Sequence, residues 1–129
     1  MLPVSRTAAR SAPGWRNWGG TAACTPNQVL HPASAAEIAA IVRETAARGG
    51  TVKTVGAGHS FSPIAVADDV QLDLSRLRGL VAVDGHRVTV RAGTHLHEIP
   101  GILAPFGLAM TNLGDVDRQT IAGATSTGT

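Results

Sequence analysis

The sequence predicts an α+β fold, and three observations carry that prediction. A capped stretch with apolar residues at helical spacing runs directly into a β-branched strand pattern ending at Val55; an alternating strand pattern follows at Asp69 to Ser75; and an Asp-Gly turn joins two more strand patterns between Leu80 and Ala92. Helix and strand are mixed, yet no regular strand–helix–strand repeat recurs, so the pattern is α+β and not doubly wound.

Composition bounds the function. At 129 residues, 43% hydrophobic and 16% charged, the chain is globular and sized for one domain or part of one. The net charge is +2, the arginines are scattered and aromatics make up 3%, so neither the electrostatic footprint nor the stacking platforms of a nucleic-acid binder are present. No apolar run approaches the roughly 18 residues of a membrane span. The single Cys24 forms no internal disulfide, which fits a reducing, cytoplasmic setting. Residues 1–14 are small, polar and basic, like a transit peptide, but lack the apolar centre of a secretory signal; they read as a flexible arm without function.

Residues 15–129 form the expected domain. In "WRNWGGTAACTPNQVLHPAS", glycines and prolines interrupt regular structure, and Gln28, Val29 and Leu30 form one short strand. Ser34 and Glu37 make a capping box, Ile38, Ile41 and Val42 recur on one helical face, and Gly49-Gly50 closes the helix. Val52 and Val55 lie in the next strand. Alternation of Val70, Leu72 and Leu74 predicts a half-buried strand. Leu80–Val83 and Arg87–Ala92 form a hairpin around Asp84-Gly85. Leu96, Ile99, Ile102 and Leu103 have helical spacing, but Pro100-Gly101 breaks or restarts that helix. The last residues, rich in Gly, Ser and Thr, show no strong amphipathic period.

The strand at Val52–Val55 leads into "VGAGHSFSP". Gly56-Ala57-Gly58 invites the dinucleotide fingerprint G-x-G-x-x-G, with Asp73 near the distance of a ribose-binding acid. Phe61 stands where the third glycine is needed, no long helix follows Pro63, and no G-K-[ST] completes a Walker loop. What remains is a glycine turn whose N–H groups suit an anion, with His59 and Ser60 at its tip. His95 and His97 would lie apart on a helix and lack a third ligand, so no metal site is expected. Asp115 and Asp117 have the look of an acid–base pair.

"VGAGHSFSPIA" resembles the flavin loop of the vanillyl-alcohol oxidase superfamily, in its sugar-lactone and alditol oxidase group. "NLGDVDRQTIAGATSTGT" resembles the same group's diphosphate-binding segment, in which G-D-x-D-x-Q-[ST]-[IV]-x-G-A leads to T-G-T-H-G. The two occur in order and about fifty residues apart, and the likeness runs from Asn17 to Thr129.

The resemblance implies an FAD-binding domain of the PCMH type, incomplete here because the likeness would continue past the final Thr-Gly-Thr. It implies that Thr54, Val55, Gly56, Ala57, Gly58, His59 and Ser60 wrap the FAD diphosphate, that His59 is joined covalently to the flavin 8α-methyl carbon, and that Asp115, Thr120, Gly123, Thr127, Gly128 and Thr129 contact FAD. It moves Asp115 and Asp117 from acid–base work to a cofactor loop, and no catalytic residue is expected within the chain. The chemistry is compatible: N–H and O–H groups satisfy a diphosphate without lysine, and histidine offers a largely neutral nitrogen nucleophile near pH 7. The implied parent oxidises a hydroxyl of a sugar lactone or polyol and passes electrons to oxygen or another acceptor; the chain alone is expected to be inactive. The competing readings are a noncovalent flavin reductase of the same superfamily, an inactive flavin-binding module, and a nucleotide binder with a Rossmann-like core.

Overall fold

A computed structural model describes Pro13 to Thr129; the expected arm at residues 1–14 lies almost wholly outside the described residues. Among the described residues seven strands and three α-helices follow one another as β1 (Trp15–Arg16), β2 (Ala23–Cys24), β3 (Gln28–Leu30), α1 (Ala35–Ala47), β4 (Val52–Val55), β5 (Val70–Asp73), β6 (Leu80–Asp84), β7 (Arg87–Val90), α2 (Ile99–Leu103) and α3 (Ile121–Thr127). The strands make a three-stranded parallel sheet ordered β3-β5-β4 and two antiparallel pairs, β1-β2 and β6-β7, which gives the α+β class.

Helix α1 starts where its sequence sets it. Ser34 Oγ accepts the Glu37 N–H at 3.1 Å, while the Glu37 carboxylate reaches past the cap to the Ala33 N–H at 2.8 Å. At the other end Gly50 N–H bonds Thr45 O and Gly49 N–H bonds Ala46 O, both at 2.9 Å, so two orphan carbonyls are satisfied as the chain turns into β4. The buried stripe is narrower than the spacing predicts: Thr45 is buried, Ile38 and Ile41 are half-buried, and Val42 is 44% exposed.

Strand β5 departs from expectation in an informative way. Val70, Gln71 and Leu72 are 1%, 2% and 2% exposed, so the strand is covered on both faces rather than one, as the centre of a parallel sheet requires. Burying Val70 and Leu72 stabilises by about 1.5–3 kcal/mol each. Buried Gln71 is kept satisfied by its Nε2 donating to Ala65 O at 3.3 Å.

The β6-β7 hairpin turns one residue later than predicted. Asp84 pairs with Arg87, so the two-residue loop is Gly85-His86, and Gly85 at its first position has φ +57°, which only glycine adopts readily. Pro100 restarts the helical segment after a 3₁₀ turn at Leu96–Glu98; Leu96, Ile99 and Leu103 are buried, as is Ala124 in α3.

Two elements exceed the prediction. Asn17 organises the β1-β2 turn by pairing both its backbone and its side-chain oxygen with Ala22. The Gly- and Thr-rich end is helix α3, capped by Thr120 Oγ1 accepting the Gly123 N–H at 3.2 Å. Its threonines are accommodated because the Thr125 and Thr127 hydroxyls bond back to Ile121 O and Gly123 O, at 2.9 and 3.0 Å.

Candidate functional site

The carboxyl ends of parallel strands are where open sheets leave room for ligands. Here β4 ends at Val55 and β5 at Asp73, side by side, and the loop Gly56–Ser62 rises from that edge. Three bonds hold the loop through its carbonyls: Trp18 N–H donates to Gly58 O at 2.8 Å, Asn17 Nδ2 to Ser60 O at 2.9 Å and Thr21 Oγ1 to Phe61 O at 2.9 Å. Among the described residues no N–H from Gly56 through Ser62 has a hydrogen-bond partner. The loop therefore keeps its acceptors tied down and leaves a run of donors free.

The second motif is set beside this loop by backbone pairing with residues 94–97. Leu96 N–H donates to Gln119 O at 2.9 Å, Ile121 N–H to Thr94 O at 2.7 Å and His97 N–H to Asp117 O at 3.0 Å, which stitches residues 117–121 against 94–97. Contact is close: a Cβ placed on Gly56 would lie 2.6 Å from Thr120 Oγ1. Between the two motifs lies a cleft of about 810 Å³. It brings together Thr54 through Ser60 with Thr120, Gly123, Thr127 and Thr129. Two expected residues stand elsewhere. Gly128 caps the C-terminal end of α3, and Asp115 is solvent-exposed and does not line the cleft.

Other lining residues carried no role in the sequence reading. Gln119 Oε1 is buried without a hydrogen-bond partner, which is costly unless a ligand supplies one, whereas the equally buried His95 Nδ1 makes no hydrogen bond but lies 3.4 Å from Glu98 Oε2. Gln119 was within reach of sequence reasoning, since it belongs to the second motif. Lys53 is the one Lys or Arg in the lining and Asp73 the one carboxylate. Asp73, set aside with the dinucleotide fingerprint, reaches the cleft because β5 ends there; its Oδ1 accepts the Ser75 N–H at 2.8 Å and its Oδ2 lies 3.4 Å from His31 Nδ1.

His95 and His97 are not apart: their rings lie 5.3 Å centroid to centroid, with His95 in extended backbone just before the 3₁₀ turn that holds His97. Among the described residues no three His, Cys, Asp or Glu side chains gather to hold a metal. Glu98 braces this turn. Its carboxylate receives the Arg78 guanidinium at 2.8 and 3.1 Å and the His95 N–H at 2.7 Å. The Arg78 hydrogen bond, aided by the His95 N–H, holds the Glu98 carboxyl below the usual glutamate value against the opposing effect of desolvation.

FAD fits these groups. Its diphosphate needs several donors at one place, which the free N–H run provides, and its hydroxyls and ring edges suit the unpartnered Gln119 Oε1. The chain belongs to the FAD binding domain family, whose profile matches residues 26–129. Within it, the chain is similar to L-gulono-1,4-lactone dehydrogenase of Mycobacterium tuberculosis, 42% identical over 120 residues, covering 92% of this chain and 28% of that protein. It is also similar to D-arabinono-1,4-lactone oxidase of Kluyveromyces lactis, 37% identical over 127 residues, covering 94% and 24%. The chain thus spans about a quarter of the length of these relatives. Among solved structures, cholesterol oxidase from B. sterolicum shares the fold with a TM-score of 0.78 at 21% identity, covering 96% of this chain and 26% of that one. No helix among the described residues is long and apolar enough to cross a membrane.

Proposed function

We propose that this chain is the FAD-binding part of a cytoplasmic aldonolactone or alditol oxidoreductase that takes a hydride from a carbon bearing a hydroxyl and passes the electrons to oxygen or another acceptor. The observation that carries the reading is the loop Gly56–Ser62, with tethered carbonyls and unpaired N–H groups, facing Thr120 and Gly123 across one cleft. The names of the two lactone-oxidising relatives support the substrate class.

When bound, FAD supplies the hydride acceptor. The chain's own part is to bind and orient. The N–H groups from Gly56 to Ser62 donate to the diphosphate oxygens, Gln119 offers its unpartnered Oε1 to polar groups of the cofactor, and His59 at the loop tip presents its imidazole as the nucleophile for covalent attachment. Thr127 and Thr129, which line the cleft, complete the proposed contacts. The substrate-positioning groups lie outside this set, which is why the 129 residues alone are expected to be inactive.

The test is made on the protein at the length of its relatives, purified and precipitated with acid. Yellow colour is expected to stay with the pellet, and His59→Ala is expected to release it into the supernatant. Colour in the supernatant of the unaltered protein overturns covalent attachment, and a colourless protein that takes up no FAD overturns the reading as a whole.

A further inference from the structure

His59 is held more tightly than a loop tip requires, and a single segment does the holding. The carbonyls on either side of it, Gly58 O and Ser60 O, are bound by adjacent residues, Trp18 through its N–H at 2.8 Å and Asn17 through Nδ2 at 2.9 Å. Asn17 is itself 3% exposed and fixed by Thr21 Oγ1 at 2.8 Å and the Ala22 N–H at 3.0 Å. With both flanking peptides pinned, the imidazole keeps only its two side-chain torsions. The Trp18 indole removes much of that freedom. It stacks on the His59 ring with centroids 5.4 Å apart and planes 24° from parallel, and the Phe61 ring meets its edge at 6.3 Å and 75°.

Burial does not explain this tryptophan. Trp18 is 71% exposed, so the apolar gain that ordinarily places an indole is mostly forgone. Its partner is a ring whose only proposed work is at its edge. We infer that Trp18, on the Asn17 anchor, is a positioning residue for His59: by covering one face of the imidazole it fixes the ring plane, so that an edge nitrogen is offered to an electrophilic carbon in the cleft. This rests on the covalent reading above. In that step a bond forms between the imidazole nitrogen and the 8α carbon. One 8α C–H bond and the imidazole N–H bond break, and their two protons with one electron pair pass to the flavin ring system; the flavin is left reduced by two electrons and is reoxidised by the electron acceptor of the proposed activity.

The experiment follows attachment directly rather than turnover. Apoprotein at the length of its relatives, produced in riboflavin-starved cells, is mixed with FAD; acid-precipitable flavin is measured over time, and noncovalent affinity is taken from the early quenching of flavin fluorescence. Trp18→Leu, apolar and bulky but without a π face, is expected to slow attachment by about threefold to tenfold, the range worth of an aromatic pair. Noncovalent affinity is expected to stay within about twofold, and Trp18→Phe to restore most of the rate. Attachment in Trp18→Leu as fast as in the parent overturns the inference and leaves the covalent reading intact. Equal slowing in Trp18→Leu and Trp18→Phe, or a matching loss of FAD affinity, makes Trp18 a packing residue and overturns it too. A parent that releases all its flavin into acid overturns both.

Discussion

At Gly56 the place for a side chain is already taken by Thr120, and that fact joins the two motifs more firmly than their separate residue patterns do. A Cβ there would sit 2.6 Å from the Thr120 hydroxyl that caps α3, so Gly56→Ala must push the loop off the second motif or the cap off its helix. Overpacking of this kind costs about 1–3 kcal/mol, and losing the cap through Thr120→Ala about 1 kcal/mol. Because removing the hydroxyl also clears the space, the double variant is expected to be more stable than the sum of the two singles predicts, by about 0.5 kcal/mol or more. Urea unfolding of the three variants measures this; strictly additive losses would mean that the loop and the second motif are not in contact. The sequence shows both motifs as strings of residues, and most of the proposed cleft is legible in them. The Gly56 to Thr120 contact is not, since it depends on residues 117–121 pairing with 94–97, a register that no local pattern specifies. The stack of Trp18 on His59 was hidden for the same reason: the two rings come from segments forty residues apart in a glycine-broken stretch with no periodicity.

Among the elements, those with strong local chemistry were readable. Helix α1 follows its Ser34 and Glu37 cap, β3 follows Val29 and Leu30 between breakers, β4 follows its β-branched Val52, Thr54 and Val55, and the break at Pro100 follows from its missing N–H. Helix α3 was not, because glycine at its third position and threonines within it are poor helix formers, and tertiary pairing through Ile121 N–H and a single Thr120 cap offset that deficit. The 3₁₀ turn at Leu96–Glu98 depends on charge. Glu98 has its folded-state pKa lowered, chiefly by its hydrogen bond with Arg78, so its contribution to stability is present above the unfolded glutamate value of about 4.3 and is lost as pH falls through the lower folded value. With side-chain exposures of 24% for Glu98 and 41% for Arg78, solvent screens the pair and the contribution is about 1 kcal/mol at most. Glu98→Gln is therefore expected to cost up to about 1 kcal/mol near neutrality and little at about pH 3, which flattens the acid limb of a stability profile measured from about pH 5 to about pH 3. A variant whose acid limb is as steep as the parent's would remove Glu98 from that role. Asp69 behaves alike in sign, held low by the Arg48 guanidinium at 2.8 Å, and contributes a parallel limb that Glu98→Gln leaves in place.

Over the whole molecule, stability is unevenly spread, and that sets what cofactor binding can change. Strand β5 is paired on both sides and buried on both faces, whereas the β6-β7 hairpin is a two-stranded pair with Val81 57% exposed and an open apolar groove of about 660 Å³ against α2. The cleft lies between these regimes, on loops and on the short helix α3. Native-state hydrogen exchange is therefore expected to rank Val70, Gln71 and Leu72 as the most protected amides and the hairpin among the least, a difference set by local opening rather than global unfolding. Addition of FAD is expected to slow exchange at Gly56 through Ser62, where the N–H groups have no partner within the chain, and to change β5 little because its amides are already bonded. The amides at the start of α3 make a sharper control. Those of Ile121, Ala122 and Gly123 already donate to Thr94 O, Ala92 O and Thr120 Oγ1, so FAD should protect them only through rigidity, and less than it protects the loop. If FAD instead protects α3 strongly and leaves Gly56–Ser62 exchanging freely, the diphosphate sits on the second motif and the glycine loop serves only to carry His59.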